Sequence, residues 1–193
     1  MKQTLALLFL SFMTSISAQN FEMNHDTETE FITYQGVIET DSLTVEKLLA
    51  VSDEWQAKGK FDIQLVSEEQ EKGYKEFEVL YKTVGKSSEF GKAYNYRFTS
   101  KLRMEFKDQK MRYTFTEFTK KSSPGEPGLT LEKYQEWYIN EANSNKAREK
   151  AGYRLDEIEL ELHEQVSAII FDMKKSFKTQ NEARGATTHT HTK

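Results

Sequence analysis

Six basic side chains on one predicted hairpin are the residues whose types and spacing best suit binding chemistry. They alternate with apolar residues, so a β-strand geometry places them on one face. They are Arg97, Lys101, Arg103, Lys107, Lys110 and Arg112. Guanidinium and ammonium groups bind a sugar acid, a phosphate or a lipid headgroup through charge-assisted hydrogen bonds. The pattern therefore predicts an anion-binding patch.

Three glutamates on the same predicted face offer an alternative use for these cations. Glu76, Glu78 and Glu105 also alternate with apolar residues, and they can form ion pairs across neighbouring strands. Each exposed pair contributes only about 0.2–1 kcal/mol, and charged strand faces are common in antiparallel sheets. The sequence leaves both interpretations open: a receptor for an anion, or a solvated and internally paired strand surface.

Two partial motifs resemble phosphate and zinc sites but lack required residues. Gly85-Lys86-Ser87 ends like a phosphate-binding loop, yet Leu80 occupies the position of the first glycine of that motif. His163-Glu164 begins like a zinc-protease helix, yet Ser167 stands where the second histidine belongs. We interpret the first as a turn, and we interpret the spacing of Glu159 and His163 as a surface pair.

The sequence offers little else for metal binding or covalent catalysis. His189 and His191 form a weak chelating pair without a third ligand nearby. The chain has no cysteine and no Gly-x-Ser-x-Gly sequence, the usual settings of an activated nucleophile. We predict no metal, no cofactor and no catalytic residue. The many Asp and Glu residues can still hide a carboxylate pair that only folding brings together.

The first nineteen residues have the composition of a secretory signal. Lys2 is followed by an apolar run at 5–12 and by small residues at 15–18, with cleavage expected near Ala18 or Gln19. We therefore predict a signal at 1–19 and an exported protein, either periplasmic or secreted. Later apolar runs fall short of the roughly 18 residues that a membrane span needs, so no transmembrane segment is expected after signal removal.

The overall composition suits one domain with a core, which we place at residues 31–178. The chain has 193 residues, 37% of them hydrophobic, and its net charge is -4 at pH 7. The charge of the chain also bears on nucleic-acid binding. The strand face that carries the six basic residues lacks the interleaved aromatic residues that stack bases, so we predict no nucleic-acid partner.

Hydrophobic periodicity predicts the elements that position these residues. Strands are expected at 31–39, 61–65, 74–83 and in a hairpin at 94–121, and helices at 45–58 and 155–177. Thr40, Asp41 and Ser42 are the candidate N-caps of the first helix, which Gly59 ends. Gly36 indicates a bulge or a close approach within the first strand.

The hairpin at 94–121 has the longest strict alternation in the chain. A turn at Asp108-Gln109 brings the apolar residues of both strands into one register. That register places Phe106 against Met111, Met104 against Tyr113 and Leu102 against Phe115. The phase slips near Glu117 and Phe118, which predicts a bulge or the end of the strand.

The remaining segments are predicted to be mostly irregular. Polar runs at 67–73 and 85–92 indicate a turn and a loop, and 122–128, which contains both prolines, indicates a linker. Apolar residues from Leu131 to Tyr138 mark a short helix, and residues 140–152 either extend it or form a loop. The tail at 179–193 is expected to be disordered.

The predicted fold class is α+β. It consists of a curved antiparallel five-stranded sheet with helices packed on one face, in the order β-α-β-β-β-β-α. The predicted core of the sheet comprises Tyr96, Phe98, Leu102, Met104, Phe106, Tyr113 and Phe115.

Several of these features together resemble a known family. Ile32-Thr33-Tyr34 precedes a helix that begins near Ser42 and ends in Glu54-Trp55, and a closing strand at 111–119 precedes the long C-terminal helix. With its signal, the chain resembles DUF4468, a family of unknown function from exported proteins of Gram-negative bacteria. The resemblance implies a TATA-binding-protein-like (TBP-like) fold over most of the mature chain, and it implies no catalytic residues.

These observations lead to two expectations about function. The first is an exported, non-enzymatic binding or interaction domain of the cell envelope, whose partner is an anionic glycan, a lipid or a protein. The alternative is an envelope hydrolase whose active site is assembled only in the fold. A deep pocket with two carboxyl groups would favour the second.

Overall fold

An antiparallel sheet organises the part of the chain that the computed structural model describes, residues 24–25, 32–86, 93–121 and 128–185. Its strands are β1 (Asn24–His25), β2 (Ile32–Glu39), β3 (Ile63–Glu69), β4 (Tyr74–Lys86), β5 (Ala93–Lys107), β6 (Lys110–Lys120) and β7 (Leu129–Thr130). Their order is β1-β2-β6-β5-β4-β3, and β7 pairs with β6. The five long strands are those predicted, and β1 and β7 add two residues each. The α+β class with an antiparallel sheet is therefore confirmed.

Several predictions fall on residues outside these ranges. They are the signal at 1–19, residues 87–92 of the predicted loop, residues 122–127 of the predicted linker, and residues 186–193 of the predicted tail, which include His189 and His191.

Three α-helices and one 3₁₀ turn accompany the sheet within the described ranges. They are α1 (Val45–Ala57), the 3₁₀ turn (Gln70–Lys72), α2 (Leu131–Asn140) and α3 (Asn145–Gly185). The prediction of 155–177 for the long helix was too short at both ends. The Ser144 hydroxyl accepts a hydrogen bond from the Ala147 N–H at 3.2 Å and starts α3 where apolar periodicity is weak. At the other end, neither glycine nor proline interrupts residues 179–184, so the helix continues.

The central hairpin has the predicted register. Leu102 pairs with Phe115, Met104 with Tyr113 and Phe106 with Met111. The register then shifts between Thr99 and Lys101, where Glu117 adopts a φ of 55°. Of the two predicted alternatives, a bulge or the end of the strand, the structure has the bulge, and its physical effect is to return Phe118 to the buried face.

The tip of this hairpin also fixes the start of α1. The predicted N-caps, residues 40–42, lie before the helix, which follows Thr44. The Thr40 N–H donates to the Gln109 carbonyl at 2.7 Å, and the Gln109 N–H donates to the Leu43 carbonyl at 2.8 Å. The Asp108 carboxylate accepts from the Val45 N–H at 3.1 Å. The hairpin turn therefore caps a helix that is distant in sequence. At its other end α1 stops as predicted, at Gly59 with a φ of 61°.

Strand β3 begins two residues later than the predicted 61–65 and ends four residues later, at Glu69. Residues 67–69, expected in a turn, pair with Tyr74, Lys75 and Glu76 of β4 after a register shift between Leu65 and Ser67. Backbone hydrogen bonds to β4 extend a strand whose side chains are polar, and a hydrophobic pattern does not report such bonds. Strand β4 likewise continues to Lys86, past the predicted end at 83.

One face of the sheet and the inner faces of the helices form a single buried cluster. All the predicted core residues of the hairpin are buried in it except Tyr96, which is half-buried. The predicted stripe of α3 is buried throughout: Leu155, Ile158, Leu162, Val166, Ile169, Ile170, Met173 and Phe177. Gly36 admits the Tyr113 phenol, which lies where a Cβ would be, so the predicted close approach is explained by a side chain.

Candidate functional site

The six basic residues predicted as an anion patch lie on strands β5 and β6, on the face opposite the core. Three of them form ion pairs with glutamates of the same surface. Arg112 pairs with Glu105, with its Nε donating at 2.6 Å. Arg103 lies 3.6 Å from the Glu76 carboxylate. Lys101 pairs with Glu117 at 2.8 Å, and this hydrogen bond raises the pKa of Lys101.

Arg103 has a further contact that fixes its orientation. Its guanidinium lies 5.7 Å from the Tyr74 ring centroid, and the Tyr74 hydroxyl donates to Glu76 at 2.7 Å. The hydrogen bond with Tyr74 is the main cause that raises the pKa of Arg103. Arg103 and Glu76 therefore form an internal ion pair of the strand surface, as Arg112 and Glu105 do, and this favours the second interpretation of the basic residues.

The other three cations lie at opposite ends of the face. Lys107 and Lys110 are register partners beside the hairpin turn, and Arg97 is the register partner of Lys82. Within the described ranges no ion pair involves these three predicted residues. Glu78, a predicted partner, pairs with Lys121 at 3.0 Å. The structure thus places the six cations on one face but separates them into a paired centre and two ends.

A different feature, which the sequence did not indicate, has the form of a small-ligand site. A cavity of about 360 Å³ lies between the end of α2 and the first turns of α3. We call it the aromatic cleft. Its lining comprises Trp137, Tyr138, Glu141, Ala142, Ala147, Lys150, Ala151 and Arg154. Its volume falls within the range of small-molecule sites in proteins.

Trp137 forms the aromatic wall of the cleft and is held from behind. Its side chain remains 48% exposed. The indole stacks on the buried Tyr134 ring, with centroids 6.1 Å apart and planes at 27°. Tyr134 in turn meets Phe98 edge-on at 6.3 Å, and the Lys120 ammonium lies 4.4 Å from its ring centroid. A chain of ring contacts therefore fixes the exposed indole to the core.

The polar groups of the cleft come from both helices. The Arg154 guanidinium donates to the Tyr138 hydroxyl at 2.7 Å, which orients both side chains. Lys150 and Glu141 contribute one charge of each sign to the lining. The cleft therefore combines a rigid apolar wall with two cations and one carboxylate.

Local sequence explains how these side chains meet. Thr130 and Ser144 accept hydrogen bonds from the first turns of α2 and α3, so both helices begin at fixed points. Ala147, Ala151 and Arg154 then fall on one face of α3 at four- and three-residue spacing. The two alanines leave the space that Trp137 and Tyr138 border. That spacing is visible in the sequence, but it indicates a cavity only when the position of α2 beside α3 is known.

A second, smaller cavity of about 230 Å³ lies between α3 and the edge of the sheet near Phe61. Its cations are already paired: Lys60 with Asp172 at 2.5 Å and Lys82 with Asp62 at 3.8 Å. The aromatic cleft is larger and has the exposed Trp137 indole as a wall, so we consider it the better candidate site.

The partial motifs occupy structural settings. Gly85 and Lys86 belong to strand β4. His163 lies on α3 with its ring 5.7 Å from Tyr34, and Glu159 accepts a hydrogen bond from Gln135. In the described part of the chain, no three His, Asp or Glu side chains converge as a metal-ligand set. None of the described helices combines the length and the apolar run that crossing a bilayer requires.

Comparison with known proteins identifies similar solved structures. No family model matches the sequence, and no curated protein matches it. A DUF4468 family protein from Bacteroides ovatus ATCC 8483 matches with a TM-score of 0.55 at 13% identity, over 76% of this chain and 86% of that chain. The two proteins share a fold. A TBP-like protein from Parabacteroides distasonis ATCC 8503 matches with a TM-score of 0.47 at 11% identity, over 78% of this chain and 97% of that chain.

The likeness to the DUF4468 family protein agrees with the resemblance drawn from the sequence. At 13% identity it shows the fold alone. Any function must therefore be argued from the side chains of this chain.

Proposed function

We propose that this protein is an exported, non-enzymatic binding module of the cell envelope, and that its aromatic cleft binds an acidic sugar unit of an envelope glycan. The observation that supports this most is the exposed Trp137 indole, fixed by Tyr134 and placed in one cavity with Arg154. Export rests on the signal expected at residues 1–19.

The chemistry of the cleft matches that of an acidic sugar. One face of a pyranose presents C–H groups that pack on an aromatic ring, while its carboxylate and hydroxyl groups need charged or polar partners. Arg154 and Lys150 supply cations, and a guanidinium matches the planar carboxylate better than an ammonium does. Glu141 can accept hydrogen bonds from sugar hydroxyls.

The same lining favours binding over hydrolysis. Glycosidases that act through two carboxylates place them on either side of the scissile bond. Among the residues that line the aromatic cleft, one carries a carboxylate, Glu141. The alternative function is an envelope hydrolase that cleaves the same glycan. The experiment below tests both functions.

Isothermal titration calorimetry of the mature protein with uronic-acid oligosaccharides and their neutral counterparts tests the proposal. We expect binding of the acidic series. Trp137→Ala should weaken it at least about tenfold, because the stacking surface is lost. Arg154→Gln should remove the preference for acidic over neutral sugars. Mass spectrometry of the recovered oligosaccharide reports cleavage, which would favour the hydrolase instead.

A matched control separates the cleft from the basic face. Arg97→Gln changes an exposed arginine of the sheet and should leave binding unchanged. The combined Arg97→Gln, Arg103→Gln and Arg112→Gln variant should also bind like the parent. If this triple variant loses binding while Arg154→Gln retains it, the basic face is the receptor and the cleft proposal is wrong. If the parent and all variants bind acidic and neutral sugars equally weakly, neither the cleft nor the basic face is a receptor for acidic sugars.

A further inference from the structure

The outward face of α3 carries apolar side chains that contribute nothing to the core. Tyr153 is 66% exposed, Leu160 is 59% exposed and Phe171 is 71% exposed. They are seven and eleven residues apart, so at 3.6 residues per turn they lie within about 20° of one line along the helix. The opposite face of the same helix is the buried stripe. Helix α3 therefore presents a second apolar line, directed away from its own domain.

Charged residues extend this line into a regular seam. Exposed residues continue the line at the three- and four-residue spacing of the contact line between paired helices, although four of them are charged where that line is usually apolar. We call them the outer seam: Tyr153, Glu157, Leu160, Glu164, Ala168, Phe171, Lys175 and Lys178. Its first half is acidic and its second half is basic. A partner with the same seam in the opposite direction therefore has complementary charge.

We propose that the outer seam binds the outer seam of a second copy of this chain, antiparallel and across a twofold axis. One register matches every seam residue with another. It places Tyr153 against Lys178, Glu157 against Lys175, Leu160 against Phe171 and Glu164 against Ala168, and each contact occurs twice. Such a self-complementary patch is what a twofold interface requires.

Three of the four contacts are favourable by their chemistry, and in the fourth the Glu164 carboxylate lies against the methyl group of Ala168. Leu160 and Phe171 bury apolar surface near the middle of the interface, where such burial contributes most to affinity. Glu157 and Lys175 form an ion pair, and the Lys178 ammonium meets the Tyr153 ring. The seam spans about 37 Å along the helix, enough for several turns of contact. An anionic membrane is a poorer partner, because Glu157 and Glu164 lie among the apolar residues.

Sedimentation of the mature protein over a concentration series tests the proposal first. We expect a monomer that becomes a dimer at concentrations on the order of 100 µM or below. Leu160→Lys should weaken association at least about tenfold. Val66→Lys is the matched control, because Val66 is 60% exposed on β3, away from the seam, and it should dimerise like the parent.

Charge exchange tests the register. Glu157→Lys alone and Lys175→Glu alone should each weaken the dimer, and the two changes together in one chain should restore it. In a single helix these residues are about 27 Å apart, so restoration requires contact between copies.

Cross-linking gives a geometric test, because the natural chain has no cysteine. A mixture of Leu160→Cys and Phe171→Cys proteins should form a mixed disulfide, whereas Leu160→Cys alone should not cross-link. A protein that stays monomeric, or a dimer that links through Leu160→Cys alone, would overturn the proposal. Monomers that instead sediment with anionic vesicles through an intact seam would assign the face to a membrane.

Discussion

At the scale of single residues, Lys75 is the most unusual side chain of the described structure. It lies on the core face of β4, in line with Phe77 and Val79, and is fully buried. Its ammonium pairs with Asp53 at 2.5 Å and with Glu68 at 3.2 Å. A buried cation is tolerated when it is paired, but removing its partners leaves an uncompensated charge.

Removing the cation should therefore cost less stability than removing its carboxylate partners. Lys75→Met keeps the side-chain length, releases exposed Asp53 to water and leaves only the partly exposed Glu68 without its cation, so we expect a loss of about 1–2 kcal/mol. The double variant Asp53→Asn with Glu68→Gln leaves the ammonium buried without a carboxylate and should cost about 3–5 kcal/mol. Urea unfolding measures both. A double variant no less stable than Lys75→Met would contradict this account of the site.

Asp172 makes stability depend on acid pH. Burial acts to raise the pKa of this carboxyl, but hydrogen bonds from Lys60 and from the Trp55 indole, with the charges of Lys60 and Lys58, outweigh it and lower the pKa. The stabilising contribution is therefore complete above the ordinary value of 3.8 and is lost as pH falls below it toward the folded pKa. The difference in unfolding free energy between parent and Asp172→Asn should shrink over that interval. A difference that stays constant from neutral pH to pH 2 would refute the linkage.

At the scale of elements, the start of α1 depends on the hairpin more than on its own residues. Thr44 occupies the N-cap, but its side chain makes no capping hydrogen bond to the helix. The bond to the Val45 N–H comes instead from Asp108, in the β5–β6 turn. The helix and the hairpin are therefore coupled at one end.

We expect Asp108→Ala to destabilise the protein by about 0.5–2 kcal/mol, as loss of an N-cap acceptor does. Thr44→Ala should cost less, although Thr44 occupies the N-cap position. Thermal unfolding monitored by circular dichroism compares the stabilities of the two variants. The reverse order would show that Thr44 caps the helix in solution.

At the scale of the whole molecule, the sequence predicted the layout of the sheet better than its extent. The alternation at 94–121 predicted three register pairs, which are present, and either a bulge or the strand end near Glu117, of which the structure has the bulge. Strand β3 and helix α3 both extend into polar segments that were predicted as turn, loop or tail. Burial patterns reveal where an element faces a core, but an element that continues through backbone hydrogen bonds alone leaves no such pattern.

The sequence predicted only part of each candidate site, the part that depends on neighbouring residues. The basic residues were correctly placed on one face, because strand periodicity is a property of adjacent residues. Which of them pair with Glu76 or Glu105 depends on the neighbouring strand and its register, so the tertiary structure decided it. The aromatic cleft depends on the angle at which α2 meets α3, which no local pattern encodes.

The sequence by itself therefore determined the fold class, the buried faces and the hairpin register, since each follows from periodicity over a few residues. Only the tertiary structure decided which charges are neutralised, that Lys75 is buried between Asp53 and Glu68, and that Trp137 and Arg154 share a cavity. These outcomes depend on contacts between residues distant in sequence, and such contacts are fixed by the packing of the whole chain.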